Sequence, residues 1–341
     1  ISRPKTRRNC GIELPFDRDY VCYVWFDALL NYISALDYPN GDNFKKFWPG
    51  EHLVAKDILK PHAIFWPTML RAGGVEPYKH LNVHGYWQMG QAKMGKSVGN
   101  VVDALGLADT YGVDAFRYFL ARDMVFGLDS EFVEDALVTR YNADLANDLG
   151  NLWQRSLTML SKFGGGVIPE WKGYLNDDEA WAVNLTDKVL AEYKGYFRSV
   201  VPHRALSVTW ELITGLNKFI DTEGPWALAK DPAKADHLKG VLYRLVHGLA
   251  LVGAMIWPVM PKTGEEIWRR LGLNHTDMTI DVSAIRAQLL PGRPVSAGEA
   301  LFPRVEFGGE KAATRASAKA LQGGQARPAP VNKKAQPAGA N

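Results

Sequence analysis

Cysteine is nearly absent: the chain has two among 341 residues, Cys10 and Cys22, and no CxxC pair. That scarcity argues against a disulfide framework and a cysteine-built zinc site, and it points to a reducing compartment such as the cytoplasm. Long apolar runs are scarce as well. The longest, LVHGLALVGAMIWPVM from Leu245, is interrupted by His247 and Pro258 and falls short of the ~18 residues a membrane span needs. It reads as a buried helix, with no membrane partner. Strong charge of one sign is also missing, since formal net charge is only +3. Six basic residues (Lys311, Arg315, Lys319, Arg327, Lys333, Lys334) and one acid, Glu310, lie near the carboxyl end, which leaves the rest at about −2. Nucleic-acid binding by the folded part must then come from local patches rather than bulk charge. What remains is a globular composition, 47% hydrophobic and 23% charged. The length suggests roughly two domains at ~150 residues each.

The first hundred residues read as alternating strand and helix. Tyr20 to Phe26 (YVCYVWF) is aromatic and β-branched, and His52 to Ala55 (HLVA) is a second short strand. Between Pro61 and Gly73 a helical pattern closes on two glycines, and HLNVHGYWQ follows as a third strand. Strands joined by helical connections predict a parallel α/β sheet, with ligands beyond the carboxyl ends of its strands. Near Leu105 the character changes. Asp109 to Arg122 forms a short helical unit, and from Ser130 onward the period is about 3.6 residues. Leu145, Leu149, Leu152, Trp153 and Leu160 make one apolar stripe, and further helices are expected over residues 179–200, 203–222, 235–256 and 264–271. This half predicts an all-α helical bundle. After Phe307 the composition turns to Gly, Ala, Pro, Lys and Gln, the signature of a disordered basic tail.

One loop carries chemistry. GQAKMGKSVGN, Gly90 to Asn100, fixes two lysines three residues apart between glycines, directly after a strand. With the following VGNVVDALGLADTYGVDAFRYFLAR it resembles the signature region of class I aminoacyl-tRNA synthetases, most closely the methionyl-tRNA synthetases. Their Lys-Met-Ser-Lys-Ser falls here on Lys93, Met94, Gly95, Lys96 and Ser97. The resemblance implies an ATP site at these five residues, with Lys93 and Lys96 catalytic. An amino-acid carboxylate is already ionised at neutral pH and attacks the α-phosphate of ATP without a general base, so catalysis is chiefly positioning and charge stabilisation. Lysines on a mobile loop close over the departing pyrophosphate and retreat to release products. Gly95 in place of the usual serine removes a hydroxyl and adds backbone freedom.

The resemblance extends upstream. ISRPKTRRNCGIELPF is similar to the segment leading into the second half of the family's catalytic domain, with Cys10 where tryptophan is usual. YVWFDALLNY matches the stretch shaping the methionine pocket, which implies roles for Trp25, Ala28, Leu29 and Tyr32; HLVAKDILKPHAIFW adds Ile58 and His62. Such a lining suits a thioether, which is apolar, polarizable and drawn to aromatic edges, and to which a Tyr or His offers one polar contact. Asp57 falls where the family places a carboxylate near the ATP ribose, although Ala55 replaces the usual glycine. Asp27 reads as structural; His84 sits near the same strand ends and reads equally as a satisfied core histidine, so neither is assigned to the site.

In the helical half the family's Asn-Leu-x-x-Arg falls on Asn151 and Arg155, and its Pro-Trp on Trp226, which implies recognition of the tRNA anticodon. Independently of the resemblance, Asn151 and Arg155 lie roughly 200° and 240° around a helix from Leu149, opposite the apolar stripe. Single-stranded bases are read by stacking on aromatics and by hydrogen bonds to their edges. For Asn151 and Arg155 alone, a solvated helix face is the competing reading, and for Trp226 a packing anchor.

The chain lacks the family's His-Ile-Gly-His signature and any cysteine-rich metal knuckle. The expectation is therefore a carboxyl-terminal portion of such an enzyme, missing the amino-terminal half of the catalytic domain. Its parts would be residues 1–105 (second half of a Rossmann-type catalytic domain), 106–134 (joining region), 135–300 (anticodon-binding bundle) and 301–341 (terminal segment and basic tail). Expected ligands are methionine, ATP with Mg2+ as its substrate complex, and tRNA(Met), with no zinc. The alternative from a different class is a non-catalytic tRNA-binding protein derived from this family, against which the retained Lys93 and Lys96 argue.

Overall fold

The structure, a computed structural model, describes residues 2–6, 11–90, 92–95, 99–171, 173, 177–296 and 298–306, with the backbone alone for residues 92–93 and 177–184. The basic tail expected from residue 308 lies outside the described residues.

The amino-terminal region is mixed α/β. Strands β1 (Ser2–Pro4), β2 (Glu13–Leu14) and β3 (Asp17–Cys22) form a small antiparallel sheet in the order β1-β3-β2. The chain then turns into α1 (Val24–Ser34) and α2 (Asp42–Phe47). A strand continuing through Phe26 was expected here; it ends at Cys22, because Trp25, Leu29 and Tyr32 recur with helical spacing and bring one face of α1 onto the core. Strand β4 (Glu51–Ala55) follows, a five-residue π-helical turn (Pro61–Phe65) runs into α3 (Trp66–Ala72), and β5 (His80–His84) returns parallel to β4, with Glu51 opposite His80 and Ala55 opposite His84. This β-α-β unit is the parallel element expected from the sequence.

HLNVHGYWQ is not one strand. After β5 the chain breaks at Gly85, and β6 (Trp87–Met89) joins a third sheet, antiparallel to β7 (Ala92–Lys93). Gly85 is there for space: a Cβ would lie 2.1 Å from the Leu128 carbonyl oxygen. Helices α4 (Ala104–Tyr111) and α5 (Val113–Asp123) replace the single helical unit expected over 109–122, and β8 (Ser130–Glu131) closes the sheet parallel to β6.

The remainder is helical: α6 (Glu134–Arg140), a π-helical stretch (Tyr141–Leu149) continuous with α7 (Gly150–Gly164), then α8 (Asp177–Arg198), α9 (Pro202–Glu223), the short α10 (Pro225–Leu228), α11 (Ala235–Ile256), α12 (Pro261–Arg270) and α13 (Val282–Gln288). Leu145, Leu149, Leu152, Trp153 and Leu160 are all buried in one core, as the stripe requires. Long and apolar enough by composition to cross a membrane, α11 is instead the central helix of the bundle, packed by α7, α9, α12 and α13. Helix α5 ties the two halves together. Its Asp114 Oδ2 accepts hydrogen bonds from the amide (2.6 Å) and hydroxyl (2.7 Å) of Thr263 at the start of α12, and Arg117 Nε donates to the Val259 carbonyl at 2.7 Å.

Candidate active site

Trp25, Leu29 and Tyr32 share one face of α1; Leu29 is buried, Trp25 and Tyr32 are half-buried, and Ala28 beside them is exposed. Facing them, the turn after β4 presents Ile58 and the π-helical turn presents His62, which is 2% exposed. The Tyr32 hydroxyl lies 2.9 Å from His62 Nε2, and His62 Nδ1 lies 2.8 Å from the Ile58 carbonyl. A carbonyl only accepts, so Nδ1 donates and Nε2 is left to accept from Tyr32. The Trp25 ring meets His62 edge-on at 5.9 Å, and the Tyr78 hydroxyl donates to the His62 carbonyl at 2.9 Å. Five of the six residues expected to line the pocket are thus linked by contacts or by one helix face, with Ala28 at its exposed margin.

Behind them stands His52, which sequence reasoning passed over. Its ring lies 4.3 Å from Tyr32 and 4.7 Å from Tyr78, and Trp66 Nε1 donates to its Nε2 at 3.1 Å. Burial, and then the neighbouring His62, lower the His52 pKa to about 4, so the ring is neutral and accepts from Trp66. Burial also raises the pKa of the Tyr32 and Tyr78 hydroxyls. The cluster therefore presents uncharged polar atoms and aromatic edges, an environment for an apolar, polarizable group. The alternation of His52 and Val54 as the buried positions of β4 was the available signal.

On the nucleotide side, Asp57 follows the carboxyl end of β4 and is exposed. Lys56, its neighbour, is 2.5 Å from Asp129 Oδ2, which also accepts from Gln88 Nε2 at 3.0 Å. Gln88 in turn sits opposite Lys93 across the β6–β7 pair. The backbone of Lys93 is thus connected to the residue beside Asp57 through Gln88 and Asp129. Met94 turns its side chain onto the cluster of Tyr111, Phe119 and Phe132, and the Gly95 amide donates to Asn100 Oδ1 at 2.9 Å, which closes the loop on itself. Lys96, Ser97 and the side chain of Lys93 lie outside the described residues. Asp129 was also missed, since its partners become neighbours only in the fold, and Asn100, five residues from Gly95, was missed because no motif names it. His84, not assigned to the site, places Nδ1 2.7 Å from the Gly85 carbonyl.

In the bundle, Asn151 is exposed on α7 and Arg155, one turn on, is held by Asp221 near the carboxyl end of α9. Helix α9 ends at Gly224 with φ of 53°, a left-handed turn that suits glycine, and Trp226 follows at 47% exposure. The Arg155–Asp221 pair brings α7 to the corner from which Trp226 projects, so an exposed ring, an amide and a guanidinium share one end of the bundle. Among the described residues, no three His, Cys, Asp or Glu side chains converge as metal ligands.

The family profile described as tRNA synthetases class I (M) matches residues 1–157. The methionine–tRNA ligase of Caldanaerobacter subterraneus subsp. tengcongensis is 44% identical over 299 residues, which is 87% of this chain and 47% of that protein. The chain belongs to the methionyl-tRNA synthetase family. Among other members, the methionine–tRNA ligase of Bacillus subtilis is 38% identical over 305 residues, 89% of this chain and 46% of that protein. The crystal structure of Mycobacterium tuberculosis methionyl-tRNA synthetase bound by methionyl-adenylate superimposes with a TM-score of 0.79 at 36% identity, covering 89% of this chain and 60% of that one. The chain spans about half the length of the methionyl-tRNA synthetases it matches in sequence. Its α/β region, the lysine loop, Asn151 and Arg155 fall within the stretch matched by the profile, whereas Trp226 lies beyond it.

Proposed function

We propose that this chain is the carboxyl-side portion of a methionyl-tRNA synthetase that activates methionine with ATP and transfers it to tRNA(Met) in the cytoplasm. The observation that carries the reading is the Trp25–Tyr32–His62 cluster at the carboxyl end of β4, next to Asp57 and connected through Asp129 and Gln88 to the strand that bears Lys93. In this reading the thioether rests against Trp25, Leu29, Tyr32, Ile58 and His62 at the margin marked by Ala28. Asp57 accepts from the ribose hydroxyls. A carboxylate oxygen of methionine forms a bond to the α-phosphorus as the bond to the pyrophosphate oxygen breaks. Lys93 and Lys96 offset the charge gathering on the pyrophosphate, within the loop formed with Met94, Gly95 and Ser97, while Mg2+ arrives with ATP. Asn151, Arg155 and Trp226 read anticodon bases by edge hydrogen bonds and stacking.

The catalytic domain is completed, in this reading, by an amino-terminal half carrying the His-Ile-Gly-His signature. Parallel strands are ordinarily covered on both faces. Here Leu53 of β4 is 62% exposed, and Val24, Phe26 and Leu30 of α1 are exposed as well. Residues 1–105 then form the second half of the catalytic domain, 106–134 the joining region, 135–300 the anticodon-binding bundle and 301–341 a terminal segment with a basic tail.

The full-length enzyme should catalyse methionine-dependent exchange of pyrophosphate into ATP; exchange driven by leucine or isoleucine instead overturns the specificity. Lys96→Ala should slow adenylate formation about 10²-fold with methionine KM nearly unchanged, as loss of a transition-state contact requires. An equal rise in methionine KM would remove Lys96 from the chemistry.

A further inference from the structure

We propose that Asp129 is a positioning residue for adenylate formation: its carboxylate latches the strand entering the lysine loop to the turn after β4 that carries Lys56 and Asp57. The inference rests on the adenylation reading above. Asp129 touches no reacting group. Its Oδ2 accepts from Lys56 Nζ at 2.5 Å and from Gln88 Nε2 at 3.0 Å, and its Oδ1 accepts from the Tyr86 amide at 2.9 Å. Three donors from two segments more than forty residues upstream thus converge on one acceptor-only group.

The backbone around the latch leaves little play. The Ser130 amide donates to the Tyr86 carbonyl at 2.9 Å and the Phe132 amide to the Gln88 carbonyl at 2.8 Å, while Gly85 meets the Leu128 carbonyl where no side chain fits. Lys56 Nζ also lies 5.5 Å from the centre of the Tyr86 ring. Gln88 is the cross-strand partner of Lys93, so any shift of the Asp129 carboxylate reaches the first loop lysine through a single strand pair. Lys56 adjoins Asp57, so the same shift reaches the nucleotide side in one residue. Asp129 keeps 27% of its side-chain surface exposed and Lys56 47%. Ion pairs that open to water contribute little to stability. Their geometry matters more, because a displacement of about 1 Å at a reacting centre is worth about 10²-fold in rate. The Lys56 ammonium and the Tyr86 amide hold the Asp129 carboxyl below the usual carboxylate range, so the latch stays ionised at neutral pH.

Asp129→Asn in the full-length enzyme tests this. One amide oxygen can serve Tyr86 or the Lys56–Gln88 pair but not both. The expected result is a fall of about tenfold or more in the single-turnover rate of adenylate formation, with methionine KM within about twofold and a nearly unchanged melting temperature. Lys56→Met should give the same loss, and the double variant no more than either alone. Losses that multiply, or a methionine KM that rises as much as the rate falls, overturn the latch. Amide hydrogen exchange gives a readout free of activity: residues 86–89 should exchange faster in Asp129→Asn while β4 and β5 do not. Unchanged exchange overturns the proposal by itself. Wild-type enzyme without methionine-dependent exchange of pyrophosphate would sink the functional reading instead, and the exchange data would still decide the latch.

Discussion

Tyr32 spends its one hydroxyl proton on His62 Nε2 because His62 Nδ1 is already committed to the Ile58 carbonyl. A sulfur resting on this cluster therefore meets ring edges and lone pairs rather than a free O–H donor, and the contact is dispersive and quadrupolar more than hydrogen-bonded. Tyr32→Phe removes the donor and leaves a nitrogen of a buried ring without its partner, at about 1–2 kcal/mol. If that ring forms the floor of the methionine pocket, methionine KM should rise about five- to thirtyfold while ATP KM holds steady in pyrophosphate exchange. Parallel rises in both constants would instead assign Tyr32 to folding. At this scale the sequence was informative where a motif names a residue type: Trp25, Tyr32, Ile58 and His62, grouped by the resemblance, lie together in the fold. It was silent on His52 and Asp129. The alternation along β4 marks His52 as buried but not what it touches, and the partners of Asp129 lie 41 to 73 residues away in the chain.

Helix α5 is the element on which the two halves depend. Its amino-terminal turn caps α12 through Asp114, its middle hands Arg117 to the turn between α11 and α12, and the chain beyond its carboxyl end leads to Asp129. Asp114 is 6% exposed and Thr263 8%. Removing the carboxylate leaves a buried amide and hydroxyl at a helix start with no acceptor, so Asp114→Ala should lower stability by about 2 kcal/mol. Asp114→Asn, which keeps one acceptor oxygen, should lose less. A urea midpoint that falls for alanine with unchanged slope checks this; equal midpoints for the two variants would mean that the cap carries little. The long, strongly periodic bundle elements were the most legible in the sequence: the limits expected for α11, 235–256, coincide with those found. Short elements near tertiary constraints were not. The Tyr20–Phe26 run has the aromatic and β-branched residues of a strand, yet packing of Trp25 and Leu29 turns its end into α1, and the Tyr23 N-cap supplies no side-chain hydrogen bond to mark the start. Likewise HLNVHGYWQ lacks any local sign that Leu128 will press against Gly85.

Across the whole molecule, acid is the condition to which the fold is most exposed, and two histidines show why. His247, on the central helix α11, is 5% exposed; burial, then Arg286 and Arg244, lower its pKa to about 3, against a hydrogen bond to the Val282 backbone. Asp187 is the one carboxylate lining the same crevice among the described residues. His52 in the α/β region is lowered to about 4. Both bind a proton less readily folded than unfolded, so the unfolded chain takes up more protons as pH drops. Stability is then full above the unfolded value near 6.5 and declines as pH falls toward 4 for His52 and 3 for His247. A single such group contributes at most about 1.4 kcal/mol per pH unit within its window. Replacing His247 by Gln removes one of the two. Above pH 6.5 the stability curves of wild type and His247→Gln should run parallel, whatever the packing difference between them. Below it they should converge or cross, by about 1 kcal/mol per pH unit, as wild type alone loses the His247 contribution. Denaturant melts at half-unit intervals from pH 7.5 to 4 decide the matter: curves that stay parallel to pH 4 would mean that folded His247 takes up its proton at little cost, the new N–H donating to water or to a rearranged Asp187, and that the bundle core is less closed than its packing shows.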